Sequence, residues 1–413
     1  MQLINKIFRG DKGIWIIIFF LFIYSMLSVY SAAGQLAYRD AGGNATHYLL
    51  KQAFMLILSI SFIIIVHNIP YRYYSKISVY LWYLSIGLLV FTLFFGLNVN
   101  DARRWILLPG GITFQTSDFA KIALLMYLSR VLAFKESEIN SYKGSFKLIY
   151  IPIIITAGLI LPANLSTALL LFGVSMILVF FSNLKFKYLA AMLGVSLLAG
   201  VLFFGVVKTF KDIGRFETWN NRIENFTSPD KEENIQEKHS KIAVATGGLF
   251  GKGPGNSNQR NILPHPYSDY IFAIIIEEFG LLIGAIPLIL LYMFLFLRTK
   301  MIVKKVKRKF GAYAVSGLAT LIILQAFSNM AVATNIIPVT GQPLPFVSYG
   351  GTSIFFIGLA FGIILSVSRE ITDAENQNAE DNASSEENIP IEENNLSTSI
   401  DLTEISKNDD KDN

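Results

Sequence analysis

The feature that most constrains this chain is a series of apolar segments, each about the length of a membrane crossing, that recurs from Trp15 to Val367 with short polar breaks. A spanning helix needs about 20 mostly apolar residues, and no soluble core needs so many in succession. Composition agrees, with 53% of the 413 residues hydrophobic and 16% charged. The first run, residues 14–33, follows Lys6, Arg9 and Lys12 as a secretory signal would. It is too long for a signal's apolar region and reads as a retained first helix. The absence of cysteine excludes disulfides and thiolate metal sites. The net charge of +5 sits in short loops beside apolar segments, so it carries topology and implies no nucleic-acid partner.

These segments predict an all-α integral membrane protein of ten transmembrane helices near residues 14–33, 48–66, 77–97, 117–134, 148–162, 165–182, 188–208, 268–297, 311–333 and 348–367. The fifth and sixth are short and meet at Pro162-Ala163-Asn164, either a tight turn or a break inside a re-entrant pair. With residues 1–13 in the cytoplasm, the loops holding Arg72 and Lys76, Lys135 to Lys147, Lys185 and Lys187, and Arg298 to Lys309 all face inward, as the positive-inside rule requires. Loops 34–47, 98–116, 209–267 and 334–347 then face out, the third being large and lying between helices seven and eight. Residues 369–413, rich in Asn, Asp, Glu and Ser, read as a disordered acidic cytoplasmic tail behind the membrane domain of residues 14–368.

Three of the outer loops carry unusual residues. Arg103-Arg104 beside Trp105 runs against the outer-side charge bias. An anionic partner such as a diphosphate would explain the pair, and so would headgroup anchoring by Arg and Trp. Asp118 and Lys121, one turn apart, can be an intramembrane ion pair. The long loop holds Arg215, Trp219 and Arg222, then five glycines from Gly247 to Gly255 that permit close backbone approach to a ligand. No P-loop is present. Asp269 stands at the external mouth of the eighth helix, where a carboxylate serves as base, metal ligand or helix N-cap, and Ser268 is an equally good cap. Glu277 and Glu278 lie about 12 to 14 Å further along the helix and require a polar cavity or a buried partner. The last loop combines Pro338, Gly341, Pro343 and Pro345 with Ser348-Tyr349-Gly350-Gly351. Irregular backbone at membrane depth persists only when buried in protein or lining a wet cavity, so this loop is expected to wall the site.

At these residues the chain resembles the SEDS proteins (shape, elongation, division and sporulation), the FtsW and RodA type of peptidoglycan polymerase. The match runs from about Tyr30 to Ile364 and is carried by ARRWI with the following Gln115, by GGLFGKGPG, by DYIFAIIIEEFG and by IIPVTGQPLPFVSYGGTS. The resemblance implies the ten-helix fold and glycosyl transfer on lipid II at the outer face of a bacterial cytoplasmic membrane. It also implies that the family's essential aspartate is Asp269, in YSDYIFA. The sequence departs from the family at Gln115-Thr116-Ser117-Asp118-Phe119, where a proline is lost and the acid shortened. It departs again at Asn164, where an acid is common, and at Tyr267, where a histidine often stands, with His265 nearby but out of register.

On this reading Asp269 takes the proton of the attacking sugar hydroxyl or helps hold a divalent cation, Mg²⁺ or Mn²⁺. Arg103, Arg104, Arg215 and Arg222 are candidates to neutralise the diphosphate, and Gln115, Lys121, Ser348 and Gly350 complete the candidate substrate-binding set. By resemblance, the expected partners are a class B penicillin-binding protein transpeptidase and other divisome membrane proteins. IIIEE, LPHPYSD and the long polar tail favour the division branch, at the septum, over the elongation branch. A lipid II flippase and a non-catalytic division scaffold are the alternatives.

Overall fold

The computed structural model describes residues 8–32, 45–99, 102–109, 112–209, 235–263 and 266–387. In chain order the elements are α1 (Lys12–Ala32), α2 (Ala45–Asn68), α3 (Tyr71–Phe95), strands β1 (Leu97–Val99), β2 (Ala102–Leu108) and β3 (Ile112–Gln115), and α4 (Thr116–Phe134). Two single-turn helices and a π-turn then lead into α5 (Ile151–Ile160), followed by α6 (Leu165–Phe180), α7 (Phe186–Thr209) and α8 (Ile235–Gly247). The chain closes with α9 (Ile271–Phe279), a π-turn at Gly280–Ala285, α10 (Ile286–Lys305), α11 (Lys309–Ala333) and α12 (Gly351–Glu387). Residues 1–372 form one compact unit and 373–413 a second.

Among the described residues, eight helices are long and apolar enough to cross a membrane, with α9 to α10 counted as one rod. The chain is a multi-pass membrane protein. The other two expected crossings are helical but depart from that standard: α4 carries Asp118, Lys121 and Arg130, and α6 has 16 residues. Helix ends follow local chemistry. Pro70 precedes α3, and the Asn164 side chain caps α6 by accepting from the Thr167 N–H at 3.1 Å.

The core is the packing of α4 against α3 and α11, and of α11 against α10 and α6. On α11, Ala314, Leu318, Leu321, Ile322, Gln325 and Asn329 fall at helical spacing on one stripe, and all are buried. Phe94, Phe95, Leu197 and Leu290 sit on outer faces, as lipid-facing side chains do.

Two expectations need correction. The outward loop expected at 98–116 holds an antiparallel meander β1-β2-β3 in which Trp105 pairs with both Leu97 and Gln115, so among the described residues the fold is helical except for this small sheet. The sequence held that signal, since β-branched and aromatic residues flank Pro109-Gly110-Gly111 as in a hairpin. The acidic tail is helical up to Glu387, past its expected start, because no Gly or Pro interrupts the chain between Gly362 and Pro390. The glycines do allow close backbone approach, here of protein: the segment 247–255 docks backbone to backbone on the break between α9 and α10. The N–H groups of Lys252 and Gly253 donate to Glu277 O and Glu278 O at 2.9 Å, and those of Leu281 and Leu282 donate to Gly248 O and Leu249 O at 3.0 Å. A helix break at membrane depth needs this kind of substitute partner.

Gly251 shows why glycine is required there. Its φ is +77°, and a Cβ would lie 2.2 Å from Glu278 O. Gly251→Ala is therefore expected to cost about 1 to 3 kcal/mol, read as a lowered thermal midpoint in detergent. An unchanged midpoint would remove this account of the loop.

Candidate active site

The site is built on the proline loop between α11 and α12. Pro343 and Pro345 have no N–H, but their carbonyls still need donors. Pro343 O accepts from Gln325 Nε2 at 3.0 Å, Pro345 O from Tyr292 Oη at 2.6 Å, and Val347 O from Ser25 Oγ at 3.0 Å. Gln342 O accepts from Asn329 Nδ2 at 2.8 Å, while the Gln342 side chain donates to Thr167 Oγ1 at 2.6 Å. Helices α1, α6, α10 and α11 thus each contribute a side chain that fixes the loop. Phe346, at φ +64°, is held in a strained conformation with its ring buried 5.9 Å from that of Phe361.

Asp269 lies on the turn entering α9, half-buried. It is not the cap of that helix: the N-cap is Tyr270, with no side-chain cap bond. Its Oδ1 accepts from Ser268 Oγ at 3.0 Å, and its main-chain O accepts from Asn329 Nδ2 at 2.9 Å. One buried amide therefore ties Asp269 and Gln342 together. Gly341, at φ +63°, would place a Cβ 3.8 Å from Asp269 Oδ2, so glycine there keeps the space beside the carboxylate open.

Ser348 is buried and reaches the same turn, donating to Ser268 O and accepting from Leu344 N, both at 2.8 Å. The Tyr349 N–H donates to Tyr267 O at 2.9 Å, so residues 348–350 run alongside 267–269, and Gly350 lies on this rim. The Tyr349 ring meets those of Tyr267 and Tyr48 edge-on at 5.7 and 6.1 Å. Burial pushes its phenol above the ordinary tyrosine range, which keeps it neutral. Ser348 is thus a positioning group and does not offer its hydroxyl to solvent.

The sheet supplies the other candidates. Arg103 is exposed, and its Nη1 donates to Leu93 O at 3.3 Å and to Phe94 O, the last carbonyls of α3. Half-buried Arg104 donates through Nε to Ala163 O, at 2.8 Å, on the turn between α5 and α6. Each arginine therefore has part of its fork committed to a helix end. Gln115 Nε2 donates to Ser117 Oγ at 3.1 Å, and Thr352 Oγ1 donates to Thr113 O at 2.9 Å, stapling β3 to the start of α12 beside Gly350.

Lys121 lies behind this surface. It is buried, 2.8 Å from Asp118 Oδ1, and donates at 3.2 Å to Gln325 Oε1, the amide that holds Pro343. Its charge is matched by Asp118, the buried ion pair that their one-turn spacing offered, and through Gln325 it supports the loop. Arg215, Arg222, Trp219 and His265 lie outside the described residues.

Asn329, Gln325, Gln342 and Thr167 were not singled out from the sequence. The available signal was two amides one turn apart at the end of an apolar α11 stripe. Asn329, Gln342 and Thr167 complete a path from Arg104 through Ala163 O and the Asn164 cap to Asp269. The carboxylate and the arginine thus sit on one continuous framework.

The chain is 30% identical over 369 residues to a protein of Geobacter metallireducens named "Probable peptidoglycan glycosyltransferase FtsW", covering 88% of this chain and 96% of that one. It is 29% identical over 366 residues to the "Peptidoglycan glycosyltransferase MrdB" of Escherichia coli K12, covering 86% and 93%. Its fold matches a chain in a structure described as "Structural coordination of polymerization and crosslinking by a peptidoglycan synthase complex", with TM-score 0.71 and 24% identity over 87% of this chain and 98% of that one. It also matches the rod shape determining protein RodA of Thermus thermophilus, with TM-score 0.63 and 22% identity over 87% and 97%. The FtsW, RodA and SpoVE family model, described as cell cycle protein, matches residues 11–373, and the chain belongs to that family.

Proposed function

We propose that this protein is a peptidoglycan glycosyltransferase that polymerises lipid II into glycan strands at the outer face of the cytoplasmic membrane, during septal wall synthesis. The observation that carries the proposal is Asp269, half-buried at one end of the bundle with its main chain clamped by Asn329 and its carboxylate beside Gly341. The division branch is favoured by the relatives named FtsW and by the IIIEE and LPHPYSD segments. Ten crossings, with both termini inside, put Asp269 outside and leave every short basic loop in the cytoplasm.

In the reaction the acceptor's sugar hydroxyl oxygen bonds to the donor's anomeric carbon. The bond from that carbon to the diphosphate oxygen breaks, and lipid diphosphate leaves with the electron pair. Asp269 receives the hydroxyl proton. Arg103, Arg104, Arg215 and Arg222 oppose the negative charge that develops on the leaving group. Among the described residues no three His, Asp or Glu side chains gather as metal ligands. A single carboxylate together with substrate phosphates still suits Mg²⁺, which keeps most of its waters. Asp269 would be that carboxylate, and the cation would supply charge neutralisation at the diphosphate. A class B penicillin-binding protein is the proposed partner, since a related fold occurs in a complex described as coordinating polymerization and crosslinking.

Purified protein given labelled lipid II, with and without Mg²⁺ or Mn²⁺ and its transpeptidase, is expected to produce a ladder of glycan strands. Translocation of the lipid across vesicles without polymer would favour a flippase instead. Asn329→Ala should lower kcat about tenfold or more with little change in KM, because a displaced catalytic group loses its near-attack geometry. Asn329→Asp should behave likewise, since a carboxylate cannot donate to both carbonyls. If either variant retained wild-type kcat, the clamp would not matter to the chemistry.

A further inference from the structure

At the end of the bundle away from Asp269, where α3 and α11 begin and α4 ends, lies a cavity of about 550 Å³. Lys309 is twenty residues from Asn329 along α11, about 30 Å at helical rise. Five cations line the cavity: Arg72, Lys76, Arg130, Arg308 and Lys309. Lys309 pairs with Glu136, and Glu370 acts on Tyr71 from nearby. None of Arg72, Lys76, Arg130 and Arg308 has a carboxylate partner among the described residues.

The site is built as well as charged. Arg130 is half-buried, its Nη1 donating to Ser75 O at 2.8 Å and to Ser75 Oγ at 3.1 Å, with its guanidinium 5.4 Å from the Phe134 ring centre. The remaining guanidinium face is thereby pre-aimed. Tyr71 and Phe310 stack at 6.2 Å and 15° to form an apolar wall. Phe134, 66% exposed, continues that wall outward. The first turns of α3 and α11 both open here without a side-chain cap, adding the positive ends of two helix dipoles.

We infer that this cavity binds the headgroup of an anionic phospholipid, with its phosphate among the four unmatched cations and its glycerol and upper acyl carbons along Phe134, Tyr71 and Phe310. Basic recesses between helices on the cytoplasmic side suit such headgroups. Exposed Phe134 distinguishes an amphiphile from a free inorganic anion, which would leave that ring uncovered. The inference assigns no role to Asp269, and binding in detergent can be measured whatever the orientation of the chain.

The test is native mass spectrometry of the full-length protein in detergent, titrated with phosphatidylglycerol or phosphatidylcholine. Wild-type protein is expected to retain one phosphatidylglycerol in preference to phosphatidylcholine, and millimolar inorganic phosphate should not displace it. The triple variant Arg72→Gln, Lys76→Gln, Arg308→Gln removes three exposed charges and should weaken retention roughly a hundredfold, at about fivefold per charge. A matched variant at exposed positions elsewhere, Lys185→Gln, Lys300→Gln, Lys304→Gln, should bind as wild type does. Equal retention of phosphatidylcholine by wild-type protein would overturn the inference without recourse to any variant. Displacement by inorganic phosphate, or equal losses in the two triple variants, would overturn it as well.

Discussion

Asp269→Asn is expected to lower the rate of lipid II polymerisation by purified protein about 10²- to 10⁴-fold, the usual contribution of a general base. The fold should survive, because three hydrogen bonds that hold this turn do not use the carboxylate's charge. Asn329 binds the main-chain oxygen of residue 269, Ser348 binds Ser268 O, and the Ser268 hydroxyl can donate to an amide oxygen as it does to Oδ1. Thermal midpoints within a degree or two of wild type, together with product loss, would separate chemistry from stability. Near-normal strand synthesis by the variant would remove Asp269 from the mechanism. A scaffold would behave differently again, supporting growth of cells depleted of the native protein whichever residue stood at 269.

The second large effect is structural. Glu277 and Glu278 are both buried, and the partners that the sequence could not name belong to the long loop and to α1. Glu277 accepts from Lys252 Nζ at 2.6 Å, from the N–H groups of Asn258 and Gln259 at 3.3 Å, and from Ser257 Oγ. Glu278 accepts from Ser257 N at 3.2 Å and from Ser31 Oγ. Removing the Glu277 carboxylate strands the Ser257 hydroxyl and the Asn258 and Gln259 N–H groups, at about 1 to 3 kcal/mol for a buried donor left unsatisfied, while Lys252, 28% exposed, can turn to water. Glu277→Ala should lose stability of that order, with residues 246–260 becoming open to protease before the helices melt. Glu277→Gln keeps an acceptor and should lose less. Wild-type protease resistance in the alanine variant would show that the loop is held by its glycine contacts alone.

What could be read from the chain beforehand followed the strength of each physical signal. Hydropathy located the long apolar helices, because the bilayer admits one long apolar solution, but not α8, which falls in a segment expected to be a loop. It also located Asp269 at a helix mouth, because charge is sparse there. The sheet of residues 97–115 was hidden by Arg103 and Arg104, which drew attention as charges when their backbone was already a strand. The glycines left their role open, because ligand approach and backbone approach demand the same residue, and only the contacts of Gly251 with Glu278 show the second. Ser348 looked like a ligand from its neighbours in sequence, yet it donates to Ser268, 80 residues away, and Lys121, besides its pair with nearby Asp118, donates to Gln325, 204 residues away. Pairings at that separation leave no local pattern.

Everything proposed for the chemistry requires Asp269 to face the cell exterior, where lipid II presents its diphosphate. The chain has no cysteine, so Asp269→Cys, Ile336→Cys and Lys300→Cys each create a single thiol. A membrane-impermeant maleimide applied to intact spheroplasts is expected to label positions 269 and 336 and to spare position 300 until the membrane is permeabilised. Labelling of position 300 from outside, with 269 and 336 reached only after permeabilisation, would put the carboxylate on the wrong side of the membrane for this reaction.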